Sequence, residues 1–437
     1  MKIIGFSATA VHGCYNFDIE FMPDINFLLG INGSGKTTVL RLMQAILSMD
    51  FSVLQSIRFK NMELIVERNQ KQMAIAIANE KNSLTIWFNG TQSESKVRTL
   101  SDEERNLFLK SDRLDEHFEE ARFIFLRSLD TAARSFVDGE RPLFLGLERR
   151  TNRYDEELSF EEARLGIYRN RIIREKEGID GLENCTKIIE RAYRQYRKIS
   201  DSANSKVVNV LIASTFDYID FDEHSFPMNH RNSFLELEEL LSRRNELERF
   251  AFSFGEGTLF GEIVEKFFIK IRALLNRDES ERNDGGFAIE LLMNKVQIKR
   301  FQKIFAELDK QKKHSERAYA PIKTFIQSMN RFFATSQKQV EIDSIGRVQI
   351  SQNGEAIPLQ ALSSGEKQLI ILMANAIFSR NKGGIFIIDE PEVSLHMKWQ
   401  EMLVDELTRG NKNNQFIFAT HSPEIVGYLK ENCIQVR

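Results

Sequence analysis

Between Gly30 and Thr38 the chain reads GINGSGKTT, and no other stretch limits its fold as much. Such a loop wraps backbone N–H groups around a phosphate only where a buried strand feeds it and a helix leaves it. Both flanks meet that demand. INFLLG is an apolar strand running straight into Gly30, and KTTVLRLMQAIL places Val39, Leu40, Met43, Ile46 and Leu47 at helical spacing. The backbone donors of Asn32, Gly33, Ser34, Gly35, Lys36 and Thr37 are expected to cradle a β-phosphate, with Thr38 beside them in the first helical turn and the helix dipole adding to the attraction. Lys36 is expected to reach the β- and γ-phosphates, and Thr37 to ligate Mg²⁺.

Two later strands end in the residues such a loop requires. GIFIIDEPE is an apolar strand finishing in acids. An acid at the C-terminal edge of a buried parallel strand lies beside the phosphates, so Asp389 is expected to hold Mg²⁺ and Glu390 to act as general base toward the attacking water. FIFATHSPE ends in His421, placed to contact a γ-phosphate. A fourth segment, LQALSSGEKQLIILMANAIF, opens with a small flexible corner and continues as an apolar helix. Ser363, Ser364, Gly365 and Glu366 there form a second anion-binding helix start, one lacking its own lysine and metal-holding acid.

The rest of the chain bounds the context. Net charge is -3 over 437 residues, which gives no global nucleic-acid signature, and the 34 Phe read as packing. The three cysteines, Cys14, Cys185 and Cys433, are scattered without a CxxC pair, which argues against zinc or a disulfide framework and fits a reducing cytoplasm. MKIIGFSATAVHG has no signal-peptide apolar core, and no long uncharged apolar run suggests a membrane span. KIIGFSA and YNFDIEF alternate as strands, as do MELIVERN, QMAIAIANE and SLTIWFNG. Residues 91–121 read as an acidic helix, RFIFLRS and PLFLGLER as short strands, and 155–335 as mostly helical and charged, broken at YIDFDEHSFPMNHRN and SERNDGG. QVEIDSIGRVQISQNGEAIPL reads as a hairpin turning at Asn353–Gly354. RAYRQYRK sets Arg191, Arg194 and Lys198 on one helical face, a solvated face or a nucleic-acid contact.

Taken in order, GINGSGKTT, LSSGEKQ, IIDEPE and ATHS resemble an ABC-type ATPase head of the SMC/RecF-like class. The runs EPEVSLH and THSPE further resemble the ATPase half of OLD-family proteins and stand-alone ATPases of anti-phage systems of the PARIS or Septu type. The resemblance covers roughly residues 1–50 and 355–425. It implies an α/β fold: an ABC-type P-loop ATPase head with an antiparallel β subdomain and a compact helical insertion. The expected division is 1–150 and 338–437 for the two halves of the head and 151–337 for the insertion. It also implies ATP and Mg²⁺ as ligands, slow hydrolysis to ADP and phosphate, and a head-to-head dimer or higher oligomer. In that dimer Ser364 and Gly365 of one copy meet the γ-phosphate held by the other.

The partners it implies are a second copy, a TOPRIM or HNH effector nuclease encoded nearby and a phage-derived trigger protein. The chain ends at Arg437 just after the last ATPase strand, so the nuclease is expected to be a separate protein. The alternative is a RecF/SMC-like DNA-repair ATPase acting on DNA. Two positions depart from the pattern. The glutamine usual between phosphate loop and signature is not found; RFIFLRSLD lies where it belongs and offers Arg127. His396 stands where Asp is usual, as an interface contact or a packing cap.

Overall fold

The computed structural model describes residues 1–81, 83–88, 94–101, 103–104, 114–137, 142–146, 181–216, 230–252, 259–276, 285–378, 384–409, 411 and 413–436. These residues divide into two units, Met1–Ala192 with Ile322–Arg437, and Tyr193–Pro321.

The first unit holds three sheets. Strands β1 (Lys2–Val11), β2 (Tyr15–Glu20), β4 (Asn61–Arg68), β5 (Lys71–Glu80), β6 (Ser83–Phe88) and β7 (Glu94–Arg98) form an antiparallel sheet in the order β2-β1-β4-β5-β6-β7. Alternation sets its inner face: Phe17 and Ile19 of β2 and Met62, Leu64 and Val66 of β4 are buried while their neighbours face outward.

A five-stranded parallel sheet runs β14 (Cys433–Gln435), β3 (Ile25–Leu29), β13 (Gln415–Ala419), β12 (Ile385–Asp389), β8 (Leu143–Leu145). Every residue of β12 and β13 is buried, because both faces are covered. Ile385 and Ile387 belong to the core around the phosphate-loop helix Lys36–Ser48, and Phe386 and Ile388 to the core around helix Ser364–Phe378. Rings stack across that second face, Phe386 on Phe416 at 4.9 Å and Phe27 on Phe418 at 5.4 Å between centroids.

The third sheet, β11 (Glu355–Ile357), β10 (Val348–Gln352), β9 (Lys338–Ile342), contains the expected turn. Gln352 pairs with Glu355 across Asn353 and Gly354, which take φ of 52° and 85° as a two-residue hairpin turn requires.

Two readings change. RFIFLRS is not a strand but the last half of helix Leu114–Ser128. Its apolar run hides a helical period: Phe118 and Phe125 are buried, one of them edge-on to Phe51 at 5.4 Å, while Ile124 stays exposed. The acidic stretch from 91 holds strand β7 at 94–98 and helix at 103–104 and from Leu114, with 91–93, 102 and 105–113 outside the described residues. Most of YIDFDEHSFPMNHRN and of SERNDGG likewise lies outside them.

The second unit is helical, built from parts of helices Gly181–Phe216 and Gly285–Phe333 and from His230–Ser242, Arg244–Phe252 and Leu259–Leu275. Its own core gathers Val207, Leu237, Leu240, Leu247, Phe250, Phe268, Ile298 and Phe305. The reading of 155–335 as mostly helical did not foresee helices of 36 and 49 residues.

Candidate nucleotide site

The register of the parallel sheet assembles the site. Asp389 pairs with Ala419, and Ala419 with Leu28, so the ends of β12, β13 and β3 lie side by side. Each hands the chain on to a chemically active residue: Asp389 and Glu390, then Thr420 and His421, then Gly30 and the phosphate loop. Ligands of open parallel sheets sit at this C-terminal edge.

Gly35 is the residue before helix Lys36–Ser48 and takes φ 93°, with no side-chain cap on the helix start. A Cβ there would also meet the Phe17 ring at 2.8 Å. The uncapped N–H groups and the dipole of a 13-residue helix therefore face the loop, the arrangement a phosphate needs. Lys36 is 6% exposed, and its ammonium donates to the carbonyls of Gly30 at 2.9 Å and Ile31 at 3.4 Å. It also lies 2.6 Å from His421 Nε2, within hydrogen-bond distance. Burial lowers the Lys36 ammonium below its ordinary value, while Glu390, Asp389 and Glu392 pull the other way.

Asp389 is 5% exposed, and the Thr37 side chain lies near enough to favour its charged form. Burial raises its carboxyl above the usual range, and the charge of Glu390 adds to that. Its Oδ1 has no hydrogen-bond partner. A buried carboxylate oxygen without a donor, beside a threonine hydroxyl, is what a hard cation would satisfy. Among the described residues no group of three or more His, Cys, Asp or Glu could hold a metal alone. The Thr37–Asp389 pair thus fits an Mg²⁺ that arrives with phosphate oxygens supplying the remaining ligands.

Glu390 takes φ 47°, and its N–H donates to Ala419 O at 2.8 Å. A left-handed glutamate is strained, and such strain persists where the surrounding structure fixes a side chain for use. Of the remaining loop residues, Asn32 and Gly33 are exposed, Thr37 and Thr38 half-buried, and Ser34 buried with its hydroxyl unpartnered.

The second glycine-rich helix start is built differently. Ser363 Oγ accepts from the Glu366 N–H at 3.3 Å and Glu366 Oε2 from the Ser363 N–H at 2.9 Å, a reciprocal capping box. Lys338 Nζ donates to Glu366 Oε1 at 2.6 Å. Burial alone would raise the Glu366 carboxyl, but hydrogen bonds from Lys338 and Ser363 outweigh it and hold the group below its usual value. Gly365 is needed for close packing: a Cβ would overlap the Ser394 carbonyl oxygen. Ser364 is exposed. Gln368 Nε2 donates to Pro391 O at 3.2 Å, tying this helix to the turn that follows Glu390. Among the described residues no hydrogen bond joins Ser363, Ser364, Gly365 or Glu366 to Lys36, Asp389 or His421.

His396 caps helix Met397–Thr408, its Nδ1 accepting from Lys398 N at 3.3 Å. Arg127 lies on a helix with its guanidinium 5.4 Å from the Phe123 ring centroid. Arg191, Arg194 and Lys198 are exposed along helix Gly181–Phe216. The bracing of the phosphate loop by the β1–β2 hairpin was missed. Tyr15 donates from its hydroxyl to Gly33 O at 2.8 Å and stacks on Phe17, which presses against Gly35. Alternation showed only that these rings lie on one hairpin.

A phosphate loop, an acidic strand end and a histidine strand end on neighbouring parallel strands, with a separately capped LSSGE helix, define an α/β P-loop ATPase fold. The chain belongs to the AAA ATPase domain family, whose model matches residues 12–426. It is an ATPase that uses a nucleotide. It is 23% identical to the Retron Vc95 probable ATPase of Vibrio cholerae serotype O1 biovar El Tor over 427 residues, covering 94% of this chain and 68% of that protein. It is 35% identical to the Retron Ec83 probable ATPase of Escherichia coli over 82 residues, covering 19% of this chain and 15% of that protein. Among solved structures it is similar to the Smc head domain with an extended coiled coil from Pyrococcus furiosus. There the TM-score is 0.38 and the identity 15%, over 99% of this chain and 93% of that one. For the SMC head domain from Thermotoga maritima the TM-score is 0.37 and the identity 12%, over 99% and 92%. Among the described residues no helix is long and apolar enough to cross a membrane.

Proposed function

We propose that this chain is the ATP-hydrolysing sensor or scaffold subunit of a retron-type anti-phage defence system. It dimerises or oligomerises through ATP-sandwiched heads and holds or releases a separate effector nuclease, TOPRIM or HNH in type, in response to a phage-derived trigger. Likeness to two retron ATPases supports the setting. The observation that carries the mechanism is the division of labour between the two helix starts: Lys36 meets His421 and feels the charge of Asp389, while Ser364 stands exposed on a helix capped by its own residues.

In this reading the phosphate-loop N–H groups and Lys36 hold the β- and γ-phosphates, and Thr37 with Asp389 holds Mg²⁺, which neutralises phosphate charge when bound. Glu390 accepts a proton from the attacking water. His421 orients Lys36. Ser364 and Gly365 complete the γ-phosphate site of a second copy. Division of the chain into head halves at 1–150 and 338–437 and an insertion at 151–337, which carries sensing or partner contacts, is part of the same proposal.

The test is ATP-dependent association. Glu390→Gln should hydrolyse ATP roughly 10²–10⁴-fold more slowly while still binding it, because the base is lost and the charge cradle stays. It should therefore accumulate as an ATP-bound oligomer in light scattering and retain the neighbouring gene product in pull-downs. Adding Ser364→Arg should abolish the oligomer without weakening ATP binding by the monomer. Loss of monomer ATP binding in Ser364→Arg would place the signature in its own site and reject the sandwich.

A further inference from the structure

Glu392, two residues beyond Glu390, entered the sequence reading only as part of a motif. Its Oε1 accepts a hydrogen bond from the His421 backbone N–H at 2.7 Å. The ring of that same histidine receives Lys36 Nζ at 2.6 Å. The bond therefore spans from the turn after β12, where Glu390 sits, to the loop after β13. A second tie runs parallel to it: Gln400 Nε2 donates to Leu395 O at 2.8 Å, and its Oε1 accepts from Ser422 Oγ at 2.7 Å. Ser422 N in turn donates to Thr420 Oγ1 at 3.0 Å. His421 is thus flanked by residues tied to each other, and its own peptide is held by Glu392.

A residue just past a strand end has lost its ladder partners, and its φ and ψ decide where the side chain points. A carboxylate gripping the peptide N–H is a charge-assisted bond, roughly twice as strong as a neutral one. Resting on the reading of His421 given above, we propose that Glu392 is a positioning residue for ATP hydrolysis: by holding the His421 peptide it aims the imidazole at Lys36 and the γ-phosphate. It touches no reacting atom itself.

The experiment measures steady-state ATP hydrolysis and nucleotide affinity for Glu392→Ala, Glu392→Gln, His421→Ala and the double variant Glu392→Ala/His421→Ala, with folding checked by circular dichroism. Glu392→Ala should lower kcat on the order of tenfold to a hundredfold, with nucleotide affinity changed less than about threefold, as expected when a group is misplaced rather than removed. Glu392→Gln should recover most of the rate, because the amide oxygen accepts the same bond. The double variant should be no slower than His421→Ala, since both changes remove one device. Should Glu392→Ala not fold, Glu392→Asp, too short to reach the His421 peptide, replaces it with the same expected loss. Wild-type turnover in Glu392→Ala beside an impaired His421→Ala would overturn this inference and leave the site reading standing. Additive losses, or a loss in Glu392→Gln as deep as in Glu392→Ala, would overturn it as well. A fully active His421→Ala would overturn both.

Discussion

At the start of helix Lys36–Ser48 the N–H groups receive no side-chain cap, whereas at the start of helix Ser364–Phe378 Ser363 and Glu366 cap each other. Each start also has a lysine, buried at Lys36 and half-buried at Lys338. Lys36 sits against main-chain carbonyls and His421 at the sheet edge; Lys338 is spent on Glu366. Glycine differs too: Gly35 serves a left-handed turn, Gly365 a close approach to Ser394 O. Two segments alike in sequence are thus unlike in what they leave unsatisfied. The first leaves donors and a cation for a ligand, and the second is complete in itself and offers a surface.

The comparison breaks most readily at the lysines. Lys36→Ala should weaken ATP binding roughly tenfold to a hundredfold, the worth of hydrogen bonds to a charged group. Lys338→Ala should leave the monomer's affinity unchanged. Titration with a fluorescent ATP analogue decides, and equal losses would mean that both helix starts serve one site. Next in size is Gly365→Ala, which should cost about 1–3 kcal/mol of unfolding free energy because the Ser394 turn must shift to make room. Denaturant unfolding measures it, and an unchanged midpoint would show that the approach is loose.

Removing the cap is milder. Glu366→Ala should cost about 0.5–2 kcal/mol by the same measurement, with ATP binding by the monomer unaffected. The pH dependence is the smallest effect and has opposite signs at the two places. Glu366 is held below its usual value, so its contribution is present above the unfolded pKa of about 4.3 and is lost as pH falls through the folded value. Asp389 is raised by burial, so its contribution is present below the unfolded pKa of about 3.9 and is lost as pH rises through the folded value. Without nucleotide, Asp389→Asn should therefore stabilise the chain at neutral pH, and Glu366→Gln should destabilise it there and flatten the acid limb. Thermal melts across pH check both signs.

What was legible in advance was whatever is written locally. The phosphate loop carries its meaning in nine consecutive residues, and β12 and β13 announce themselves as short apolar runs ending in polar groups, because a strand covered on both faces has no polar positions until it emerges. Asn353–Gly354 likewise names its own turn. RFIFLRS was misread because a dense apolar run fits either period, and only the face that meets Phe51 distinguishes them. Tyr15, Phe17 and Glu392 gave no advance sign of their role, since each acts on a residue distant in the chain.

By itself the sequence determined a phosphate loop and two further apolar strands, one ending in acids and one in a histidine, the residues expected to carry nucleotide chemistry. It could do so because each device is a short run whose function follows from its own backbone. The tertiary structure alone decided that Asp389 keeps an unpartnered oxygen, that Lys36 and His421 meet, that Glu366 is committed to Lys338, and that Glu392 grips the peptide of His421. Those outcomes depend on parallel strand register and on burial, which arise only when segments distant in the chain pack together and leave each polar atom either a partner or none.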